Sequence, residues 1–156
     1  MNGGYPILLV EDSPDDVLLI ERAFHRADLH HPLRTVTDGQ KAIEYLKGLE
    51  QYSDRAAYPY PGLVILDLKI PGVDGFDVIR WMRSHPQAKL VPIIVLSSSS
   101  EPADVNRAYE LGANAFMVKP ANHRALEQLL STIGEFWLAS EGPRPGFNVR
   151  SSAAML

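Results

Sequence analysis

Leu63-Val64-Ile65-Leu66-Asp67-Leu68-Lys69-Ile70-Pro71-Gly72-Val73-Asp74-Gly75 is the stretch that decides the fold. Its first four residues are apolar and mostly branched, the composition of a strand buried on both faces. Asp67 ends the run, and Lys69, Pro71, Gly72 and Gly75 are loop chemistry. The stretch therefore predicts a carboxylate held where a core strand meets solvent. In open α/β sheets the ligand crevice lies at that end of the strands. Taken alone, such an acid is more often a loop cap than a reactive group.

Similar apolar runs flank it. Ile7 to Val10 and the weaker Leu33 to Val36 precede it, and Pro92 to Leu96 and Ala113 to Val118 follow. Helical spacing fills the gaps. Val17, Ile20, Phe24 and Ala27 mark one helix; Ala42, Ile43, Leu46 and Leu49 a second; Phe76, Ile79 and Met82 a third, ended by Pro86. A fourth covers 102–111 and stops at Gly112, a C-cap glycine. Leu126, Leu129, Leu130, Ile133 and Trp137 mark the last. Ser13 is an N-cap, Pro14 the first helical residue, and Asp15 and Asp16 are first-turn acids. This alternation predicts an α/β parallel sheet with helices on both faces and right-handed crossovers. The connection 50–62 is polar and aromatic, and its Tyr-Pro pairs favour an extended path. Gly142 to Gly146 ends regular structure, so we expect one domain over 1–140 and a solvated tail over 141–156, Phe147 and Val149 included.

The totals fit that single domain. The chain has 156 residues, 46% hydrophobic and 22% charged. Its net charge of −4 gives no nucleic-acid surface. It has no cysteine, which excludes disulfides, thiolate metal sites and a cysteine nucleophile. No run approaches the roughly 20 apolar residues of a membrane span. A cytoplasmic protein is expected.

The predicted strand ends carry the chemistry. Glu11 and Asp12 follow the first strand, Asp67 the third, Ser97 and Ser98 the fourth, Lys119-Pro120 the fifth. In a parallel sheet these ends share one edge. Three carboxylates gathered there repel one another unless a cation joins them. A hard divalent ion with oxygen ligands, Mg²⁺, resolves this, and it typically bridges carboxylates to a phosphoryl oxygen. A carboxylate can itself attack phosphorus and form an aspartyl phosphate.

With those residues in view, the chain resembles the receiver domain of two-component response regulators from about Ile7 to Leu138. The resemblance is carried by Val10-Glu11-Asp12-Ser13, by Leu66 to Gly75, by Val95-Leu96-Ser97-Ser98 and by Gly112 to Pro120. It implies a flavodoxin-like (βα)5 doubly wound sheet with strand order 2-1-3-4-5. It implies Asp67 as phosphoacceptor, with Glu11, Asp12, Asp67 and the backbone carbonyl of Lys69 holding Mg²⁺. Ser97 and Ser98 are then the switch hydroxyls, Lys119 the ammonium that pairs with the phosphoryl group, Phe116 the switch aromatic and Pro120 the site of a cis bond. The nearest likeness is to stand-alone receivers of phytochrome-type histidine kinases, through Glu11 to Asp16, the long 50–62 connection and Tyr109 to Ala115.

The implied function is a single-domain response regulator, not a conventional enzyme, that catalyses its own phosphorylation and dephosphorylation. Its implied partners are a sensor histidine kinase, a bacteriophytochrome among the candidates, and a downstream protein or histidine phosphotransfer protein. With no output domain in the sequence, the signal leaves through a changed surface, and a homodimer through the 102–138 surface is expected. Neither nucleic acid nor membrane is a partner. Each residue also has a plainer reading: Ser13 to Asp16 cap a helix, Ser97 to Ser100 form a turn, Phe116 is core, and Lys119 lies on the surface. The five histidines have no metal-ligand spacing. A haloacid-dehalogenase-like phosphatase would want a second acid where Lys69 stands. A flavodoxin-like flavin carrier would want hydroxyls and glycine where Glu11 and Asp12 stand. A receiver that docks without being phosphorylated is the third alternative.

Overall fold

A computed structural model describes residues 5–26 and 30–137. The helical position given to Ala27, the domain limit at 140 and the tail lie outside these residues, as does the side chain of Trp137. The elements run β1 (Ile7–Val10), α1 (Pro14–Arg26), β2 (Leu33–Val36), α2 (Gly39–Lys47), a 3-10 turn (Glu50–Tyr52), β3 (Leu63–Leu66), α3 (Gly75–Ser84), β4 (Ile93–Ser97), α4 (Pro102–Leu111), β5 (Ala115–Val118) and α5 (His123–Trp137). The five strands are parallel in the order β2-β1-β3-β4-β5. This is the flavodoxin-like arrangement expected from the sequence.

Alternation along the strands splits the core into two layers. Leu8, Val10, Val64, Leu66, Ile93 and Val95 face α2, α3 and α4. Ile7, Leu9, Leu63, Ile65, Ile94 and Leu96 face α1 and α5. Both faces are covered, so these strands read as unbroken apolar runs rather than alternating ones.

Local chemistry sets the helix ends. The Ser13 hydroxyl accepts the Asp16 N–H at 3.3 Å, the N-cap bond of α1. Asp38 caps α2 by accepting the Lys41 N–H at 2.7 Å, and Asp74 caps α3 by accepting the Asp77 N–H at 3.0 Å. Gly112 ends α4 at φ 118°, and a Cβ there would lie 2.7 Å from Cγ of Arg83. Arg83 holds that corner, donating to the carbonyls of Gly112 at 2.9 Å and Val91 at 2.8 Å and to Oδ1 of Asn114 at 2.9 Å.

One inward position differs from the sequence expectation. Leu49 is 45% exposed, and Tyr45 is buried in its stead. The cause is that α2 stops at Lys47, where Gly48 turns left-handed at φ 71°, so the helical phase never reaches Leu49. Tyr45 has a role the sequence did not suggest: it anchors the 50–62 connection. Its ring meets those of Tyr52 at 5.1 Å and Tyr58 at 6.0 Å, and its hydroxyl donates to the Pro59 carbonyl at 2.9 Å. Arg55 crosses beneath and donates to the carbonyls of Tyr45 at 2.9 Å, Leu46 at 3.0 Å and Tyr58 at 3.2 Å. Arg55 thus takes up the Leu46 carbonyl at the end of α2 and adds a second donor to the Tyr45 carbonyl, which the Gly48 N–H also meets at 3.0 Å.

Candidate functional site

The site grows directly out of the sheet. Glu11 N–H donates to Val36 at 3.0 Å, Asp67 N–H to Val10 at 3.0 Å and Lys119 N–H to Ser97 at 2.8 Å. Each bond carries the parallel ladder one residue beyond a strand. The backbones of Glu11, Asp67 and Lys119 are thereby fixed by the same hydrogen bonds that build the sheet. Gly75 lets the start of α3 close over the exit from β3, since a Cβ there would lie 2.6 Å from the Asp67 carbonyl oxygen.

Glu11, Asp12 and Asp67 can each offer one oxygen, all within 4.8 Å of one another. Glu11 is 1% exposed and Asp67 6%, whereas Asp12 is open to solvent. Lys119 reaches into this group. Its Nζ donates to Oε1 of Glu11 at 2.5 Å, Oδ2 of Asp16 at 2.8 Å and Oδ2 of Asp67 at 3.2 Å. The remaining oxygens are also engaged: Oε2 of Glu11 accepts the Ser13 N–H at 3.2 Å, and Oδ1 of Asp67 accepts the Lys69 N–H at 3.2 Å.

The electrostatics are unbalanced. Burial pushes the Glu11 carboxyl up to about 7; the bond from Lys119 pulls it down, and the charge of Asp67 pushes it up further. Burial also works against a charged Lys119. The bonds to Asp16 and Glu11 and the charges of Asp67 and Glu11 outweigh it, so the ammonium is held above the usual lysine range. One ammonium is thus shared by three acids, Glu11, Asp16 and Asp67, and Asp12 stands beside Glu11 and Asp67. All the available donors are carboxylate oxygens, the set that suits a hard divalent ion rather than a soft one. The residues present fit such an ion.

Residues 7–131 match the family described as response regulator receiver domain. The chain belongs to that family. This receiver domain is 34% identical over 140 residues to the probable methanogenesis regulatory protein FilR2 of Methanothrix harundinacea, covering 88% of each chain. It is 34% identical over 132 residues to response regulator Rcp1 of Synechocystis sp., covering 85% of this chain and 88% of that one. A structure of Rcp1 in an Mn²⁺-bound form superposes with a TM-score of 0.80, at 33% identity over 90% of this chain and 99% of that one. The phosphorylated cyanobacterial phytochrome response regulator RcpA gives a TM-score of 0.80 at 36% identity, over 86% of this receiver domain and 94% of that chain. The family is one of signalling proteins, and single-domain phytochrome response regulators are among this chain's relatives.

The predicted residues fall into two groups. Glu11, Asp12, Asp67 and Lys119 converge as expected. Ser97 is fully buried at the end of β4, with its hydroxyl accepting the Ser99 N–H at 3.2 Å, and Ser98 is exposed beside it. Phe116 is 6% exposed and packs in the α2–α4 layer, while its N–H donates to the Tyr109 hydroxyl at 3.0 Å. The Lys69 side chain is exposed and lies 4.0 Å from Asp104, so it supplies no second acid for the phosphatase alternative. A flavin carrier is disfavoured likewise, since the first loop presents Glu11 and Asp12 and no phosphate cradle.

Pro120 is a correction. No peptide bond among the described residues is cis, so the Lys119–Pro120 bond is trans. Trans is the ordinary state of an X–Pro bond by about 0.5–1 kcal/mol, and Lys119 reaches all its acids with the bond in that form.

Sequence reasoning missed Asp16 as a site residue. Asp16 does stand in the first turn of α1, where an acid caps a helix. However, the Ser13 N–H that a capping box would give to Asp16 goes to Oε2 of Glu11, and the Asp16 carboxylate meets Lys119 instead. Sequence reasoning also missed Asp104, whose Oδ2 accepts from the Ser99 hydroxyl at 2.6 Å and so ties the β4–α4 loop to α4. Neither contact leaves a periodic signal.

Proposed function

We propose that this receiver domain is a phosphorylation-controlled switch in which Asp67 accepts a phosphoryl group with Mg²⁺ as cofactor. The observation that carries the reading is the convergence of Glu11, Asp12 and Asp67 within 4.8 Å, with Lys119 bonded to Asp67. Glu11, Asp12, Asp67 and the Lys69 carbonyl would hold the ion. When bound, it supplies positive charge against the equatorial phosphoryl oxygens, where negative charge resides in the transition state.

This chain's own residues do the rest. The Asp67 carboxylate attacks phosphorus in line, an O–P bond forms, and the N–P bond of a kinase phosphohistidine breaks. The departing imidazole nitrogen takes up a proton. The ladder bond to Val10 and the Lys69 N–H orient the nucleophile, and the site admits it from the open rim. Lys119 pairs with one new phosphoryl oxygen and the Ser97 hydroxyl with another. For Ser97 this means leaving the Ser99 N–H, which pulls the β4–α4 loop inward. Phe116 already lies inward beneath that loop, so the change is passed to α4, β5 and α5. Hydrolysis of the acyl phosphate resets the switch, so the protein catalyses its own phosphorylation and dephosphorylation.

The partner we propose is a sensor histidine kinase of the phytochrome type, supported by the likeness to RcpA and Rcp1. A downstream protein or histidine phosphotransfer protein would read the changed surface. A homodimer through α4, β5 and α5 suits the groove lined by Met117, Val118, Ala125 and Leu129, about 440 Å³ in volume. No described helix is long and apolar enough to cross a membrane.

The test is treatment with acetyl phosphate, with Mg²⁺ or with EDTA, on wild type and Asp67→Asn. Wild type with Mg²⁺ should gain an acid-stable, base-labile phosphate, and the other arms should gain none. Unlabelled wild type overturns the reading, and label persisting in Asp67→Asn moves the acceptor elsewhere.

A further inference from the structure

Lys119 has two conflicting tasks at this site, and Asp16 resolves the conflict. An ammonium has three donors. Here they go to Glu11, Asp16 and Asp67. Two of these acids belong to the group that would take the divalent ion. Every carboxylate oxygen of Glu11 and Asp67 already has a hydrogen-bond donor. Lys119 is therefore a built-in competitor for the cation: an ion entering between Glu11 and Asp67 meets an ammonium already bonded to one oxygen of each. Yet Lys119 must stay close enough to meet the phosphoryl group.

Asp16 is the one Lys119 partner outside the ion-binding acids. It stands on the first turn of α1, fixed there by its own N–H to Ser13. In an ordinary capping box the acid at this position bonds back to the N–H of the capping serine. Glu11 takes that N–H here, which leaves the Asp16 carboxylate for the ammonium. Its side chain is 37% exposed, so it lies at the mouth of the site rather than within it.

We infer that Asp16 is a positioning residue for the phosphoryl-transfer reaction: it retains the Lys119 ammonium at the mouth of the site when a divalent ion displaces it from Glu11 and Asp67. The inference rests on the proposed ion-dependent phosphoryl site. Without Asp16, Lys119 has no carboxylate partner among the described residues outside the ion-binding acids, stays on Glu11 and Asp67, and resists the incoming ion. An effect on ion binding must then disappear when Lys119 is removed. A plain through-space attraction between Asp16 and the ion would not disappear, because it does not pass through Lys119.

The experiment is a double-mutant cycle of Mn²⁺ affinity, read by calorimetry or by the electron paramagnetic resonance of free Mn²⁺. It uses wild type, Asp16→Asn, Lys119→Met and the double variant, without phosphodonor. Asp16→Asn should weaken Mn²⁺ binding about tenfold, the order of one charge-assisted hydrogen bond. In the Lys119→Met background the same change should cost less than about twofold. The number of ions bound per chain reports the folded fraction, so misfolding shows as fewer sites and not as weaker ones. Equal losses in both backgrounds overturn the inference and leave the phosphoryl site standing. Failure of wild type to bind Mn²⁺ at all overturns both.

Discussion

Two cations organise opposite ends of this molecule, and they have opposite kinds of partner. Arg55 sits in the tyrosine cluster and donates only to neutral carbonyls, those of Tyr45, Leu46 and Tyr58. Lys119 sits in the acid crevice and donates only to carboxylates, those of Glu11, Asp16 and Asp67. Around Arg55 the guanidinium fastens three carbonyls and has no carboxylate among its described hydrogen-bond partners. Around Lys119 charge is left over, with Glu11 pushed up to about 7 by its burial. A cation among neutral acceptors fastens a loop, whereas a cation outnumbered by acids waits for another charge. The two ends of the fold thus differ in what these two cations bond to, neutral carbonyls around Arg55 and carboxylates around Lys119.

The largest effect should come from removing Lys119. Lys119→Met leaves Glu11 and Asp67 buried without their cation, and should cost about 3 kcal/mol in urea unfolding at pH 8 with EDTA present. Millimolar Mg²⁺ should recover most of that loss. If the loss persists in Mg²⁺, Lys119 is a fixed structural cation like Arg55 and the contrast breaks. Arg55→Ala comes next, at about 2 kcal/mol from carbonyls that lose their donor, and Mg²⁺ should recover none of it.

The tyrosine end should instead respond to alkali. Burial raises the pKa of Tyr45, Tyr52 and Tyr60, and raises Tyr5 to about 12. The folded state therefore holds these protons more tightly than the unfolded chain, whose tyrosines titrate near 10. Their contribution is complete below pH 10 and is lost as the pH rises above it, for Tyr5 through about 12. Thermal midpoints should fall across that window while tyrosinate absorbance grows. Ionisation centred on 10 in the folded protein would remove burial as the cause. The smallest effect is Tyr45→Phe, which deletes the bond to Pro59 and should cost about 1 kcal/mol by chemical denaturation.

How far each region could be read from the chain follows from the same contrast. Strands β1, β3 and β4 were legible because burial on both faces demands unbroken apolar runs. The rim acids were legible because a parallel sheet brings strand ends to one edge. The 50–62 connection was not, since Arg55 and the tyrosines bond to carbonyls that every residue owns, and such acceptors leave no mark in a sequence. Leu49 was misplaced because a helical period continues on paper where Gly48 ends it in space. Asp16 was half-read: its first-turn position is local, but its partner Lys119 lies across the sheet.

By itself, the sequence determined the order of elements, the two-layer core and the convergence of Glu11, Asp12, Asp67, Ser97 and Lys119 on one edge. These follow from periodicity, capping chemistry and the handedness of crossovers, all of which act over short range or through topology. Only the tertiary structure decided which acid each oxygen and proton belongs to: Ser13 bonded to Glu11, Asp16 released to Lys119, and the trans bond before Pro120. Those choices depend on ångström distances between chain segments far apart in sequence. No spacing rule reaches them, because a carboxylate finds its donor by position in space and not by position in the chain.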